Sequence, residues 1–209
     1  MSVEPKVRRT TEQRAAGAYY HPHFDAHIVK VMLGQHKISS RVDEMLVTTL
    51  GSCVAACVRD PVAGIGGMNH FLLPEVPDNP NDSANVAARY GSVAMELLIN
   101  LILANGGRRN RLEVKVFGGA KVIDTTLDIG AKNADFVLSY IRREGLSLVG
   151  QDLGGAMARR IHYFPSTGRV LRRVLRPEAL TETVSQELNF MSTLRHKPIE
   201  GDVELFGDD

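Results

Sequence analysis

The residues best equipped for chemistry are Cys53 and His70, in the run VTTLGSCVAACVRDPVAGIGGMNHFLLP from Val47 to Pro74. A cysteine thiolate is a strong nucleophile, and histidine is the side chain that most readily takes a proton near neutral pH. Cys53 follows Gly51 and Ser52 at the mouth of an expected strand, where glycine lets backbone N–H groups approach a ligand closely. Between Cys53 and His70, Pro61-Val62-Ala63-Gly64 has the turn chemistry of a four-residue hairpin loop. If Asp60 pairs with Ile65, Cys53 faces Leu72 and His70 faces Ala55. Both then lie on one side of the sheet as diagonal neighbours, with Cα atoms roughly 7–8 Å apart. A slip of one residue would separate them onto opposite faces. This is the arrangement of a pair in which an imidazole draws off a thiol proton and the thiolate attacks. The plainer alternative is a small apolar cysteine beside a hydrogen-bonded structural histidine.

Other candidates are weaker. Cys57 shares the Cys53 face but lies four residues further along the strand, too far for a disulfide, and reads as core. His21, His23 and His27 cluster around Asp25 and could bind a metal. Pro22 and the lack of a nearby cysteine argue for a surface or packing role instead. His36, His162 and His196 have no evident partners in the sequence. The pairs Gly66-Gly67, Gly118-Gly119 and Gly154-Gly155 match neither a phosphate loop nor a dinucleotide motif, and read as tight turns or bulges near a cleft. The small basic groups Arg108–Arg111 and Arg169–Arg176 are solvated faces or a docking surface for an acidic partner.

The elements that must position Cys53 and His70 belong to a chain of ordinary globular composition. It has 209 residues, 44% hydrophobic and 23% charged, and a net charge of +1, enough for one domain with a sizeable core. Balanced charge argues against a general nucleic-acid binder. No run approaches 18 consecutive apolar residues, which argues against a membrane span. The polar stretch Met1–Arg14 is not a secretory signal, so the expectation is a soluble, reduced, cytoplasmic protein.

One helix is expected from Asp82 or Ser83 to about Asn105, ended by Gly106-Gly107, with Val86, Tyr90, Val93, Leu97, Leu98 and Leu101 as its buried face. Gly91 inside it should cost about 1 kcal/mol relative to alanine. A second is expected over Ala134–Glu144, capped by Asn133, burying Phe136, Val137, Tyr140 and Ile141. Strands are expected at Ile28–Met32, Met45–Thr49, Val54–Asp60, Ile65–Leu72, Leu112–Phe117, Leu146–Val149, Arg160–Phe164 and Arg169–Leu175. Together these predict an α/β fold: a single domain with a mixed, mostly antiparallel sheet and helices packed on it. Residues 1–18 read as a loose arm, 19–180 as the domain, and 181–209 as an extension with an acidic tail from Glu200, pinned by Leu205 and Phe206. The proline-rich segment Leu73–Ser83 reads as a loop.

LGSCVAACVRDP followed by GGMNHFLLP resembles the chemoreceptor glutamine deamidase family, CheD. FGGA at Phe117–Ala120, IGAKN at Ile129–Asn133, DLGG at Asp152–Gly155 with Thr167-Gly168, and the lead-in Tyr19–Ser39 are also similar, so the likeness spans about residues 19–176. The resemblance implies a fold related to bacterial toxin deamidases and hydrolysis of selected glutamines of methyl-accepting chemotaxis receptors to glutamate. It implies Cys53 as nucleophile and His70 as base, with a thioester intermediate and backbone N–H groups around Ser52–Val54 receiving the oxyanion. A threonine completes the family triad. Some members place it six residues before the cysteine, where this chain has Val47; Thr48 is the choice here, while strict strand alternation points to Thr49. No metal, nucleotide or organic cofactor is required. Glutamate methyl ester hydrolysis is a side reaction the same chemistry would allow. The expected partners are the receptors, a CheC-type phosphatase and no nucleic acid, with membrane contact through receptors only and a monomer as the default. The rival reading is a non-catalytic regulator that binds receptors or that phosphatase. Gly154-Gly155-Ala156-Met157 departs from the many members that carry a polar residue after the glycines, and the chain beyond about residue 180 has no assigned counterpart.

Overall fold

A computed structural model describes residues 18–74, 80–122 and 128–176, together with Ser185, Glu187, Asn189, Phe190 and Ser192, which are helical. Residues 1–17 of the expected arm, the tail from Glu200 with Leu205 and Phe206, His196, and part of the Leu73–Ser83 loop lie outside the described residues.

The element order is β1 (Tyr19–His21), β2 (Ala26–Lys30), β3 (His36–Ser39), β4 (Glu44–Leu50), β5 (Val54–Asp60), β6 (Ile65–Asn69), α1 (Pro80–Ala104), β7 (Glu113–Gly118), α2 (Ile129–Arg143), β8 (Ser147–Leu153), β9 (Arg159–Phe164) and β10 (Arg169–Val174). The expected α/β domain is present, and its strands divide between two sheets. The first runs β1-β2-β4-β9-β10 and the second β3-β6-β5-β7-β8. Most neighbours are antiparallel; β2 with β4 and β7 with β8 are parallel. The first parallel pair arises because β3, between β2 and β4 in the chain, crosses to the second sheet. Strands β1 and β3 are not legible in the sequence, being short and rich in polar residues.

The two sheets pack face to face, and the helices cover the far side of the second. Val29, Val31, Leu46, Leu50, Cys53, Ala55, Cys57, Met68, Leu72, Ile161 and Tyr163 form the inter-sheet core. Val54, Ala56 and Val58 point the other way, into a core shared with Met95, Leu98, Ile99 and Ile102 of α1 and Val137, Tyr140 and Ile141 of α2. Both faces of β5 are therefore dry, which explains its unbroken apolar run.

Helix α1 begins at Pro80, a residue suited to the first helical position, so Asp82 and Ser83 lie within its first turn rather than capping it. Its buried face also differs from expectation. Met95, Leu98, Ile99 and Ile102 are buried, whereas Val93 and Leu97 stand about half exposed; the side chain of Val86 is outside the described ones. The helix is apolar on two overlapping faces, and periodicity alone could not tell which one the sheet takes. By length and composition, Ala87–Ala104 could cross a membrane, but here it lies across β3, β5 and β6. Gly91 is a contact point: a Cβ there would come within 2.4 Å of the Phe136 ring on α2. Gly67 is likewise mid-strand rather than in a turn, where a Cβ would meet Leu98 at 2.7 Å.

Asp60 fixes the β5–β6 hairpin. Its carboxylate is fully buried and accepts the N–H groups of Val62 (2.9 Å), Ala63 (3.0 Å) and Arg108 (2.8 Å) and the Arg111 guanidinium at 2.6 Å. Burial alone would raise its pKa, but the Ala63 N–H, the Arg111 cation and the other N–H donors outweigh it and hold the carboxyl down to about 2. A depressed carboxyl stabilises the fold above its ordinary pKa of 3.8 and loses that contribution as pH falls toward 2. Asp60→Asn should therefore cost about 3 kcal/mol at neutral pH. Urea denaturation at pH 7 and pH 3 should show the gap between variant and wild type narrowing on the acid side.

Candidate active site

The hairpin register brings Cys53 and His70 to one face. Asp60 pairs with Ile65 and Cys57 with Met68, and the same register resumes at Val54 and Phe71, which exchange hydrogen bonds of 3.0 and 2.9 Å. Between these points the two backbones part. Asn69 fills the gap: its Oδ1 accepts from the Ala56 N–H at 2.8 Å, and its Nδ2 donates to the Ala94 carbonyl of α1 at 3.0 Å. The His70 backbone turns instead to the β2–β3 connection, bonding Gln35 O and the Gly34 N–H. The imidazole stays on the inter-sheet side with Met68 and Leu72.

Thr48 reaches His70 from the first sheet. Along β4, Leu46, Thr48 and Leu50 alternate toward the inter-sheet core while Met45 and Val47 face a separate cluster behind. The Thr48 hydroxyl is 2.8 Å from His70 Nδ1 and donates to the Val31 carbonyl at 2.8 Å. A hydroxyl has one proton. With that proton given to Val31, it can only accept from Nδ1–H, which leaves a lone pair on Nε2. Nε2 is buried without a hydrogen-bond partner among the described residues, as a base awaiting a proton would be. Thr49 lies on the opposite face of β4, where Arg160 donates to it at 3.3 Å. Alternation counted back from Cys53 misleads because the chain bends at Gly51-Ser52 between the two sheets.

Around Cys53 three consecutive carbonyls are tied behind the loop. Gly51 O accepts from the Ala120 N–H at 2.8 Å, Ser52 O from Asn133 Nδ2 at 2.9 Å, and Cys53 O from the Gly119 N–H at 2.8 Å. The N–H groups of Ser52 and Cys53, which share peptide units with the first two of these carbonyls, converge with that of Gly51 on one point in front. Val54, expected among the donors, spends its N–H on Phe71 O. Asn133 is not the cap of α2; Asp128 is, accepting from the Ala131 N–H at 2.9 Å. Asn133 is instead fully buried inside that helix, and its Oδ1 also accepts from Leu73 N–H. The FGGA and DLGG motifs form the next layer. Gly154 N–H bonds Gly118 O and Lys121 N–H bonds Gly155 O. The guanidinium of Arg159 then ties Asp152, Gly154 and Met157 carbonyls together.

The point of convergence holds a carboxylate. Glu187 Oε1 accepts from Gly51 N–H (3.0 Å) and Cys53 N–H (3.3 Å), and Oε2 from Ser52 N–H (3.1 Å) and the Ser52 hydroxyl (2.6 Å). Sequence reasoning missed this residue. The spacing of Glu187 and Phe190 by three was a signal, but nothing marked what they would touch. Burial, the Glu187 charge and its hydrogen bond together push the Cys53 thiol well up. Burial holds the His70 imidazole down to about 4, against the Glu187 carboxylate and the Val31 carbonyl. The pair therefore rests as neutral thiol and neutral imidazole.

The remaining candidates fall elsewhere. Cys57 is buried, free and pushed up by burial. His21, His23 and His162 stack with Phe24 at centroid distances of 5.0–5.2 Å. Arg111 serves Asp60, and Arg172 pairs with Asp152 at 2.9 Å.

A family model described as CheD chemotactic sensory transduction matches residues 72–174. A relative from Rhodopseudomonas palustris (strain BisA53) is 51% identical over 188 residues, covering 90% of this chain and 88% of its own. The chain belongs to the CheD family. A relative from Halorhodospira halophila is 45% identical over 192 residues, with 90% and 88% coverage. One from Methylobacillus flagellatus is 44% identical over 198, with 93% and 97%. All three carry the name "Probable chemoreceptor glutamine deamidase CheD". Among solved structures, Neisseria meningitidis protein NMB0706, of family model DUF152, overlays 62% of each chain at TM-score 0.36 and 9% identity, too slight a likeness to bear on the argument. The CheD family match begins at Leu72, after Cys53 and His70, but an aligned span of 188 residues takes in both, and Thr48, wherever it starts.

Proposed function

We propose that this chain hydrolyses selected glutamine side chains of methyl-accepting chemotaxis receptors to glutamate, with Cys53 as nucleophile, His70 as base and Thr48 orienting the imidazole. The observation that carries this reading is the nest at Cys53. It holds a glutamate carboxylate, the group such a reaction leaves behind, beside an imidazole whose Nε2 has no partner among the described residues.

His70 Nε2 takes the thiol proton as the sulfur attacks the carboxamide carbon. The oxygen, gaining charge, moves into the N–H groups of Gly51, Ser52 and Cys53; one such donor is worth about 10²–10³ in rate. His70 then gives its proton to the departing ammonia. Water, deprotonated by the same imidazole, cleaves the thioester and releases glutamate. Thr48 accepts from Nδ1–H throughout, so the tautomer need not change between steps. A glutamate methyl ester presents the same acyl carbon and loses methanol by the same route. Beside His70 runs a cleft lined by Gly34, His36, Asn69, Tyr90, Val93 and Leu97. Its wall is the half-exposed apolar face of α1, a surface suited to a receptor helix. The protein works as a monomer on the cytoplasmic side, without a cofactor, and meets the membrane only through receptors. A CheC-type phosphatase is its further partner.

The test is the intact mass of a purified receptor cytoplasmic fragment after incubation with this protein. Each converted glutamine adds about one mass unit as amide becomes acid, and peptide mapping places the sites. A gain in mass supports the enzyme. Binding without any gain would favour the regulator that docks on receptors or on a CheC-type phosphatase.

A further inference from the structure

Glu187 is 2% exposed. No lysine or arginine among the described residues forms an ion pair with it. A buried carboxylate without a cation is costly unless several donors solvate it. Three backbone N–H groups and one hydroxyl do so here, and a concave run of N–H groups is an anion site by construction. The fit is close: a Cβ at Gly51 would lie 2.9 Å from Glu187 Oε1. A second anchor lies one helical turn on. Phe190 packs against the edge of the inter-sheet core and touches Gly34, where a Cβ would come 3.2 Å from its ring. Gly34 is the residue whose N–H bonds the His70 carbonyl. Glu187 and Phe190 thus bracket Cys53 and His70, and Cys53 is fully buried.

We propose that the Gly51–Cys53 nest is a carboxylate-recognition subsite that the chain fills with its own Glu187, capping the nucleophile as a bound product would until a glutamine-bearing helix displaces it. The proposal rests on the deamidase reading for the identity of the displacing helix; the capping stands on the contacts. A ligand carried on the same chain competes with substrate as an intramolecular one. It raises the apparent KM by the reciprocal of the fraction of time the site is open. The cap also disarms chemically, since the Glu187 charge helps keep the Cys53 thiol protonated.

Two variants of the full chain test this. In Glu187→Ala, iodoacetamide should alkylate Cys53 at least tenfold faster than in wild type. Cys57, buried in the core, should stay unmodified and so report an intact fold. In Glu187→Gln the chain presents a carboxamide to its own nucleophile. The Cys53 sulfur bonds to the carbon of that introduced carboxamide, its C–N bond breaks, and ammonia leaves with the proton held by His70. Water then cleaves the thioester, restoring the thiol and leaving glutamate, so the peptide holding position 187 gains about one mass unit. With Cys53→Ala added, no gain should occur. An unchanged Cys53 alkylation rate in Glu187→Ala overturns the cap, whether or not receptor fragments are converted. Faster alkylation, with no conversion of either the carboxamide introduced at position 187 or receptor glutamines, keeps the cap and overturns the deamidase reading instead.

Discussion

Cys53→Ala should leave a receptor fragment at its starting mass after any incubation in which wild type converts it, and His70→Ala should convert it roughly 10²–10⁴-fold more slowly. The two effects differ in kind. Without sulfur no acyl intermediate forms, and a nest of N–H groups alone does not cleave an amide on a useful timescale. Without the imidazole the thiol remains, but its pKa is pushed well up by burial and by Glu187, so little thiolate forms near neutral pH and ammonia has no proton donor on departure. Raising the pH should recover part of the His70→Ala rate, because more thiolate forms, and should recover none of the Cys53→Ala rate. The measurement is conversion by peptide mass against time at pH 7 and pH 9. A His70→Ala rate close to that of wild type would remove His70 from the role of base.

Gly118→Ala should abolish conversion and lower stability together. Gly118 has φ of +114°, a region that L side chains rarely adopt, and a Cβ there would lie 2.1 Å from the Cys53 carbonyl oxygen. Relief requires moving either the end of β7 or the Cys53 peptide. The first breaks the Gly119–Cys53 and Ala120–Gly51 hydrogen bonds behind the loop. The second turns the Cys53–Val54 peptide, which pulls the Val54 N–H off Phe71 O and shifts Cys53 within the nest. Either way the nest of proposed oxyanion donors is displaced, a loss on the order of 10²–10³-fold for each donor compromised, with a stability cost of about 2–4 kcal/mol for strain and overpacking. Activity and urea midpoint measured on the same preparation check it. Full activity at unchanged stability would mean the carbonyl tether is not what aims the nest.

The part of this site that strand pairing controls is legible in the sequence. Pro61–Gly64 announces a hairpin, and a hairpin fixes register, so the side of the sheet shared by Cys53 and His70 follows from alternation alone. Only resemblance to the family favours Thr48 over Thr49. Its partner comes from another sheet, and alternation says nothing across a bend between sheets. The two-sheet division is hidden because β3, the strand that crosses over, is four residues long and polar. Asn133 reads as a cap for a physical reason. Asn commonly caps helices, and the true start at Asp128 is followed by Gly130, which weakens a helix locally but lets its first turn pack on Gly119, whose carbonyl oxygen would lie 2.5 Å from any Cβ there. Glu187 is invisible because a carboxylate that binds backbone amides leaves no complementary charge for sequence to display.

The placement of Thr48 on one sheet and of Cys53 and His70 on the other has a consequence for how the protein can change over generations. Leu46, Leu50, Met68 and Ile161 are buried between the sheets, and their volumes set the spacing at which Thr48 meets His70 Nδ1. A methyl group gained or lost there would shift the imidazole by a fraction of an ångström while the fold survived. Under the proposed reaction, drift in these interior positions is filtered by the rate of proton transfer as well as by stability, and neutral variation should collect on the outer faces of the two layers before it reaches the seam between them.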